Sequence, residues 1–240
     1  VEKIINLEGE IDTKLMAYSA SLNQFNEHPL AEAIVQYSKE NEIELLEAKD
    51  FEAVMGKGVV GEIDGLKIAI GNKKLMEQMN AQLSPDFDHK VIDEQKMGKT
   101  VSYISVDGIV LGYVAITDAI KKTSKEAIRI LMSKGIDVIM LTGDNRNTAK
   151  TVADELNLSS FQAECLPEDK LKVIKELQAK GKVVAMAGDG INDAPALAQS
   201  DVGIAMGTGT DVAIESSEVT LVKGDLLGIV KAINLGTKVM

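Results

Sequence analysis

The sequence predicts an α/β chain in two parts: an α+β first part built on an antiparallel sheet, residues 1–116, and a doubly wound parallel second part, residues 117–240. Three observations carry this. Before Ile116, apolar residues recur with period two between turn signals. After it, amphipathic helices alternate with short apolar runs. The acidity also drops at the same point, from 11 lysines against 20 carboxylates to 15 basic against 17 acidic residues. Period two marks strands with two distinct faces, whereas short continuous apolar runs between helices read as parallel strands buried on both faces.

Residues 11–41 read as two helices. Ile11, Leu15, Met16, Tyr18 and Leu22 fall at helical spacing, and a polar break at Asn26-Glu27-His28-Pro29-Leu30 precedes a restart at Pro29, a favoured first-turn residue. From Phe51, FEAV, then VVGEI, an Asp64-Gly65 turn and LKIAIG form a hairpin signal punctuated by Gly56, Gly58, Gly61 and Gly71. A helical stretch near Asn72 to Asn80, a loop around Pro85 and two strands flanking Asp107-Gly108 complete the first part. In the second part IDVIML, VVAMA, DVGIA and VTLV are the predicted parallel strands. Ligands of such sheets bind beyond the carboxyl ends of strands. IDVIML runs into Thr142-Gly143-Asp144 and VVAMA into Gly188-Asp189-Gly190, so two acidic loops are expected to share one crevice.

Composition narrows the class. At 240 residues with 45% hydrophobic and 26% charged, the chain is globular and long enough for two cores. A net charge of −11 argues against a surface that coats nucleic acid or anionic lipid, so no nucleic-acid partner is expected. A single cysteine, Cys165, excludes an internal disulfide framework and a CxxC metal site. No apolar run reaches the roughly 18–20 residues that span a bilayer. The start, VEKIINLEGE, is charged, lacks Met and reads as the beginning of a fragment rather than a signal peptide.

The strongest chemical signal is Gly188-Asp189-Gly190-Ile191-Asn192-Asp193-Ala194-Pro195, which sets two carboxylates and an amide at a strand-to-helix turn. Hard oxygen donors of this kind suit Mg²⁺, which keeps several waters and bridges to phosphate. The plain alternative is a glycine-rich turn with Asp193 as a helix N-cap. Beside such a loop, Thr142, Gly143 and Asp144 become a phosphate-holding hydroxyl and amides. Lys170, at the start of the helix opened by Leu166-Pro167-Glu168-Asp169, becomes the cation that phosphoryl transfer needs, although a solvated lysine is its default reading. Gly98-Lys99-Thr100 is not a P-loop, because the first glycine of that motif would fall on Asp93. Gly56-Lys57-Gly58 precedes a strand and is no dinucleotide fingerprint. His89 and Cys165 receive no role.

Together, MLTGDNRNTA, LPEDK, MAGDGINDAPALAQSDVGIAMGTGTDVAIE and NEHPLAEAI closely resemble the cytosolic ATP-binding region of heavy-metal-transporting P-type ATPases, the copper-exporting branch most of all. The similarity spans essentially the whole chain. It implies a nucleotide-binding domain at about residues 1–116, set into a Rossmannoid phosphorylation domain of haloacid-dehalogenase type whose remaining part covers about 117–240, with Asp118 at the hinge. ATP, ADP and Mg²⁺ are the implied ligands, and the membrane and actuator domains of a parent transporter the implied partners. The expected location is the cytoplasmic face of a membrane. By the resemblance, Glu27, His28, Gly56, Gly58, Gly71 and Asn72 hold the nucleotide. Gly143, Asp144 and Asn192 assist, Thr142, Lys170, Asp189 and Asp193 handle the phosphoryl group, and Asp189 and Asp193 take the metal.

Two departures stand out. The glutamate usual five positions before the EHP histidine is Asn23 here. The DKTGT motif, whose aspartate accepts the phosphate in the family, occurs nowhere in the 240 residues and is expected shortly before Val1. A stand-alone phosphatase of the same superfamily and a non-catalytic nucleotide-binding module are the rival readings.

Overall fold

The computed structural model describes residues 3–6, 11–26, 29–117, 120–188, 191–207, 211–221 and 224–239. They form two compact units, Val1–Asp118 and Ala119–Met240. Glu27, His28, Asp118 and Asp189 lie outside the described residues.

In the first unit a six-stranded antiparallel sheet has the order β1-β6-β5-β4-β3-β2. Its strands are β1 (Lys3–Asn6), β2 (Ala48–Val54), β3 (Gly58–Ile63), β4 (Leu66–Gly71), β5 (Thr100–Val106) and β6 (Ile109–Ile116). Period-two alternation sends neighbouring side chains to opposite faces. Ile68 and Ile70 therefore join one core with Leu15, Leu22 and Ile34, from helices α1 (Thr13–Asn23) and α2 (Pro29–Glu40). Ala69, between them, joins Leu75, Met76, Phe87 and Val91, from α3 (Lys73–Gln78) and α4 (Pro85–Lys96). Both faces are covered.

The hairpin expected around Asp64-Gly65 is present, with Ile63 opposite Leu66 and Asp64 at φ 53°. The loop expected around Pro85 is present before the proline, at residues 81–84, and ends at it. Pro85 is the first residue of α4, where its missing N–H costs nothing, and the Ser84 hydroxyl caps the helix by accepting from Phe87 N–H at 3.2 Å. Strand β1, paired with β6 through Lys3↔Ala115, was not anticipated. Its KIIN stretch is too short to show a period.

Two tyrosine-carboxylate-lysine clusters fasten α4 to the sheet. Asp88 accepts from Tyr103 Oη at 2.5 Å and pairs with Lys73 at 2.5 Å. Glu94, 6% exposed, accepts from Tyr113 Oη at 3.1 Å and pairs with Lys99 at 2.9 Å. Burial, reinforced by the carboxylates, pushes both phenols well above their ordinary range. Burial alone would raise the Asp88 carboxyl, but Lys73 and Tyr103 hold it below its usual value.

The second unit contains parallel ladders, as expected, but among the described residues they form two separate sheets. One has the order β11-β10-β9 and the other is β7-β8. The strands are β7 (Ile139–Leu141), β8 (Ser160–Gln162), β9 (Ala185–Gly188), β10 (Val202–Met206) and β11 (Val219–Leu221). Helix α5 (Lys122–Ser133) packs against α10 (Leu227–Val239) through Ala127, Leu131 and Val230, while α6 (Arg146–Glu155) lies between β7 and β8 in sequence and α9 (Asp211–Glu215) between β10 and β11. Burial on both faces does not hold for β9. Met186 packs against Ile174 of α7 (Pro167–Ala179) and Leu197 of α8 (Ala194–Gln199), but Ala185 and Ala187 face outward and are exposed. These helices cover a single face. Strand β8 was missed because SFQ is short and polar enough to pass for a loop.

Candidate functional site

In the second unit β7 leads into Thr142-Gly143-Asp144, and β9 ends at Gly188, so both acidic loops leave carboxyl ends of parallel strands. Thr142 and Asp144 close on each other. The hydroxyl donates to Asp144 Oδ2 at 2.9 Å and accepts from Asp144 N–H at 3.1 Å. The segment after β8 clasps this turn through backbone alone: Cys165 N–H donates to Thr142 O at 2.9 Å and Glu164 N–H to Asp144 O at 2.8 Å. Asn145 then caps α6, accepting from Asn147 N–H at 3.0 Å and Thr148 N–H at 3.1 Å. Gly143 stays exposed. A Cβ added to it would meet only Cys165 O, at 3.7 Å, so the turn offers open surface above its backbone.

The clasp continues into α7. Pro167 opens the helix, and Asp169 ties its entry by accepting from Leu166 N–H at 2.9 Å. One turn along, Lys170 Nζ donates to Asp193 Oδ1 at 2.6 Å. Asp193, 6% exposed, ends the 3₁₀ turn Ile191–Asp193 that follows β9. Thr142, Gly143, Asp144, Lys170 and Asp193 thus belong to one continuous chain of contacts, with Asn192 exposed beside them. The Cys165 thiol, raised by burial, shows none of the thiolate character a metal ligand or nucleophile needs.

The donors fit Mg²⁺ in kind. A carboxylate already balanced by a lysine and a neighbouring amide oxygen are hard ligands suited to a cation that keeps its waters. Among the described residues no three His, Cys, Asp or Glu converge into a site that would hold an ion by side chains alone.

In the first unit Gly56, Gly58, Gly71 and Asn72 also come together. Asn72 Nδ2 donates to Gly56 O at 2.9 Å, its N–H donates to Lys57 O at 2.8 Å, and its Oδ1 caps α3 by accepting from Leu75 N–H at 3.1 Å. Gly58 and Gly71 face each other across β3 and β4. A Cβ on Gly58 would lie 2.1 Å from Ile70 O, and one on Gly71 2.1 Å from Lys57 O. Backbone fills the space beside these two glycines, so their first task is to let the strands close. Gly56, at φ 66°, makes the turn. Asn23 is 5% exposed, donates through Nδ2 to Ser19 O at 2.9 Å and accepts from Asn26 Nδ2 at 3.5 Å, so its side chain is engaged within α1 and the turn that follows it.

Comparison with known proteins places the chain in a family. The family model described as haloacid dehalogenase-like hydrolase matches residues 1–201, and a second model of the same description matches 170–233. A "Copper-exporting P-type ATPase" of Legionella pneumophila is 47% identical over 230 residues, 96% of this chain and 31% of the relative. The solved catalytic domain of the CPx-ATPase CopB-B superposes with TM-score 0.76 at 31% identity, over 96% of this chain and 82% of that one. The chain belongs to the haloacid dehalogenase-like hydrolases, among the catalytic regions of heavy-metal P-type ATPases. A zinc-transporting PIB-type ATPase in its E2.Pi state matches with TM-score 0.61 at 33% identity, over 97% of this chain and 38% of that one. The chain spans about three-tenths of the length of the curated Legionella relative.

For this P-type ATPase region, sequence reasoning missed the backbone clasp of Glu164 and Cys165. Glu164 has φ 56°, a conformation that nothing in AECLPE announces. The string that begins at Gly188 was singled out, but Gly188 itself received no role, although its place at the head of GDG was the available signal. Among the described residues, no helix is long and apolar enough to cross a membrane.

Proposed function

We propose that this chain is the ATP-binding and phosphoryl-handling portion of a P-type ATPase that exports a heavy-metal ion, Cu⁺ by preference. The observation that carries the reading is the Lys170–Asp193 pair, which sets an ammonium at the carboxyl end of β9 and is linked through the backbone to the Thr142–Asp144 turn. A phosphoryl group in transfer carries charge on its equatorial oxygens, and a fixed lysine with hydroxyl and amide donors neutralises it.

In this reading residues 1–116 bind nucleotide and 117–240 form the phosphorylation domain. Glu27 and His28 take the adenine end, while the Gly56 turn, held by Asn72 and closed by Gly58 and Gly71, supports the rest. Thr142, Gly143 and Asp144 hold phosphoryl oxygens, and Lys170 balances their charge. Asp189, Asp193 and Asn192 offer oxygens to Mg²⁺, which when bound supplies further charge neutralisation. The carboxylate that attacks the γ-phosphate, forming an aspartyl-phosphate and releasing ADP, is supplied from outside these 240 residues, since they hold no DKTGT. The hydrolysis of that intermediate drives export, at the cytoplasmic face of a membrane, in concert with membrane and actuator domains. Copper is favoured by the name of the Legionella relative.

The test is transfer of label from γ-labelled ATP to the 240-residue chain and to a version extended N-terminally through DKTGT. Hydroxylamine-sensitive label in the longer version alone supports the reading. Label in the shorter chain would place the acceptor elsewhere, and label in neither would leave a nucleotide-binding module.

A further inference from the structure

We propose that Gly188 is a positioning residue for Asp193: the missing side chain at the end of β9 is the space that Asp193 occupies when it reaches Lys170. The inference deepens the phosphoryl-site reading above and rests on it for its functional consequence, but its geometric core stands independently.

Gly188 is the last residue of β9 and pairs with Ala205 of β10. A Cβ built on it would lie 2.7 Å from Asp193 Cβ, 2.7 Å from Oδ2 and 2.8 Å from Cγ. All three distances are far inside van der Waals contact, and Asp193 has no easy retreat. Its Oδ1 is engaged by Lys170 at 2.6 Å, so rotating the carboxylate away breaks that bond. Its Cβ is fixed to backbone at the start of α8, where Ala196 and Leu197 are fully buried, so shifting it moves a packed helix. Gly188 itself is held in the ladder to β10. A glycine inside a strand weakens it and commonly marks the close approach of another group. Here the group is a carboxylate of the phosphoryl site.

The consequence is a division of labour. Lys170 fixes one oxygen of Asp193, and the bare Cα of Gly188 leaves room for the other. With any side chain at 188, Asp193 keeps its charge but loses its place.

The experiment is a set of unfolding and binding measurements on the full 240-residue chain, following NMR signals of the second unit. Asp193→Gly, Lys170→Met and their combination are made with glycine at 188 and again with Gly188→Ala or Gly203→Ala. The Asp193→Gly change is tolerated at an N-cap position and removes the three atoms nearest to the added Cβ. Gly203→Ala serves as control, because the atoms its Cβ would crowd first belong to Glu218, Leu197 and Ser217. Gly188→Ala is expected to lower the midpoint markedly when Asp193 is present and hardly at all in the Asp193→Gly background, and to abolish the Lys170–Asp193 coupling in a double-mutant cycle. Gly203→Ala should lower the midpoint and keep the coupling. If Gly188→Ala does not fold, folding of Gly188→Ala/Asp193→Gly supports the proposal, and failure of both overturns it. Equal cost in both backgrounds, or a surviving coupling, also overturns it.

Mg²⁺ titration then separates the two readings. Several-fold weaker Mg²⁺-induced amide shifts at residues 186–194 in Gly188→Ala, unchanged in Gly203→Ala, carry the positioning role into the site. Unchanged shifts in Gly188→Ala overturn that role. Absence of any shift in the unsubstituted chain defeats the phosphoryl-site reading, while the unfolding cycle still decides the steric relationship.

Discussion

Asn72 secures Gly56: its Nδ2 donates to the Gly56 carbonyl at 2.9 Å while its Oδ1 caps α3 at Leu75. One side chain thus ties the turn between β2 and β3 to the start of a helix packed on β4. Asn72→Ala removes both bonds. Loss of an N-cap costs about 1 kcal/mol and a further hydrogen bond about another. We expect the first unit to lose roughly 2 kcal/mol by urea unfolding. ATP-induced amide shifts in that unit should weaken as well. Intact shifts would show that the Gly56 turn takes no part in nucleotide binding.

The Lys170–Asp193 pair is asymmetric in what each partner leaves behind. Lys170→Met strands a carboxylate whose side chain is 9% exposed, whereas Asp193→Asn leaves an amine with 16% exposure and a flexible stem that reaches water. Breaking a fully buried pair costs about 3–5 kcal/mol, and partial exposure discounts this to about 2 for Lys170→Met. Asp193→Asn should cost less than Lys170→Met in the same unfolding experiment. The reverse order would mean that the ammonium, not the carboxylate, is the buried charge.

Much of this was legible beforehand because its signals are local. Alternation in LKIAIG gave β4, Asp64-Gly65 gave its turn, and the strand-loop order gave the places of Thr142 and Asp193 after the carboxyl ends of β7 and β9. Contacts made through backbone or through empty space were not legible. Glu164 and Cys165 clasp the Thr142 turn by their N–H groups, for which any residue serves. Gly58 and Gly71 invited a reading as room for a ligand, but a glycine in sequence cannot tell whether that room is kept for a ligand or taken by the next strand. The loop before Pro85 was legible but its end at the proline was not, since proline ends one segment and starts a helix with the same fixed φ.

The α4 clusters set the pH response of the first unit at both extremes. Tyr103 and Tyr113 have phenol pKa values raised above the ordinary 10.0, so the protonated form is bound more tightly in the folded state. Their contribution is complete below pH 10 and is lost as pH rises towards the folded values. Asp88 is lowered from 3.8, so its contribution is present above that pH and disappears as pH falls through the folded value. Stability measured upward from neutral pH should begin to decline near pH 10. Tyr103→Phe with Tyr113→Phe should flatten that decline, and an unchanged slope would mean other groups govern the alkaline limb.

Asn23 tests whether the glutamate that the resemblance expects can be restored by the residue alone. It sits where the resemblance expects a glutamate, yet it is 5% exposed with its amide committed to Ser19 O. A glutamate there carries no donor when ionised, leaves the Ser19 carbonyl without that bond and buries a charge beside it. Leaving such groups unsatisfied costs about 1–3 kcal/mol, and more where the group is charged. Burial raises the carboxyl pKa of Asn23→Glu, so the penalty grows as pH climbs above the unfolded value near 4.3. The variant should therefore be closer to the parent chain in stability at pH 4 than at pH 7, and its ATP affinity at neutral pH should not rise. A gain in affinity at pH 7 would show that residue 23 can turn out of α1 towards the nucleotide.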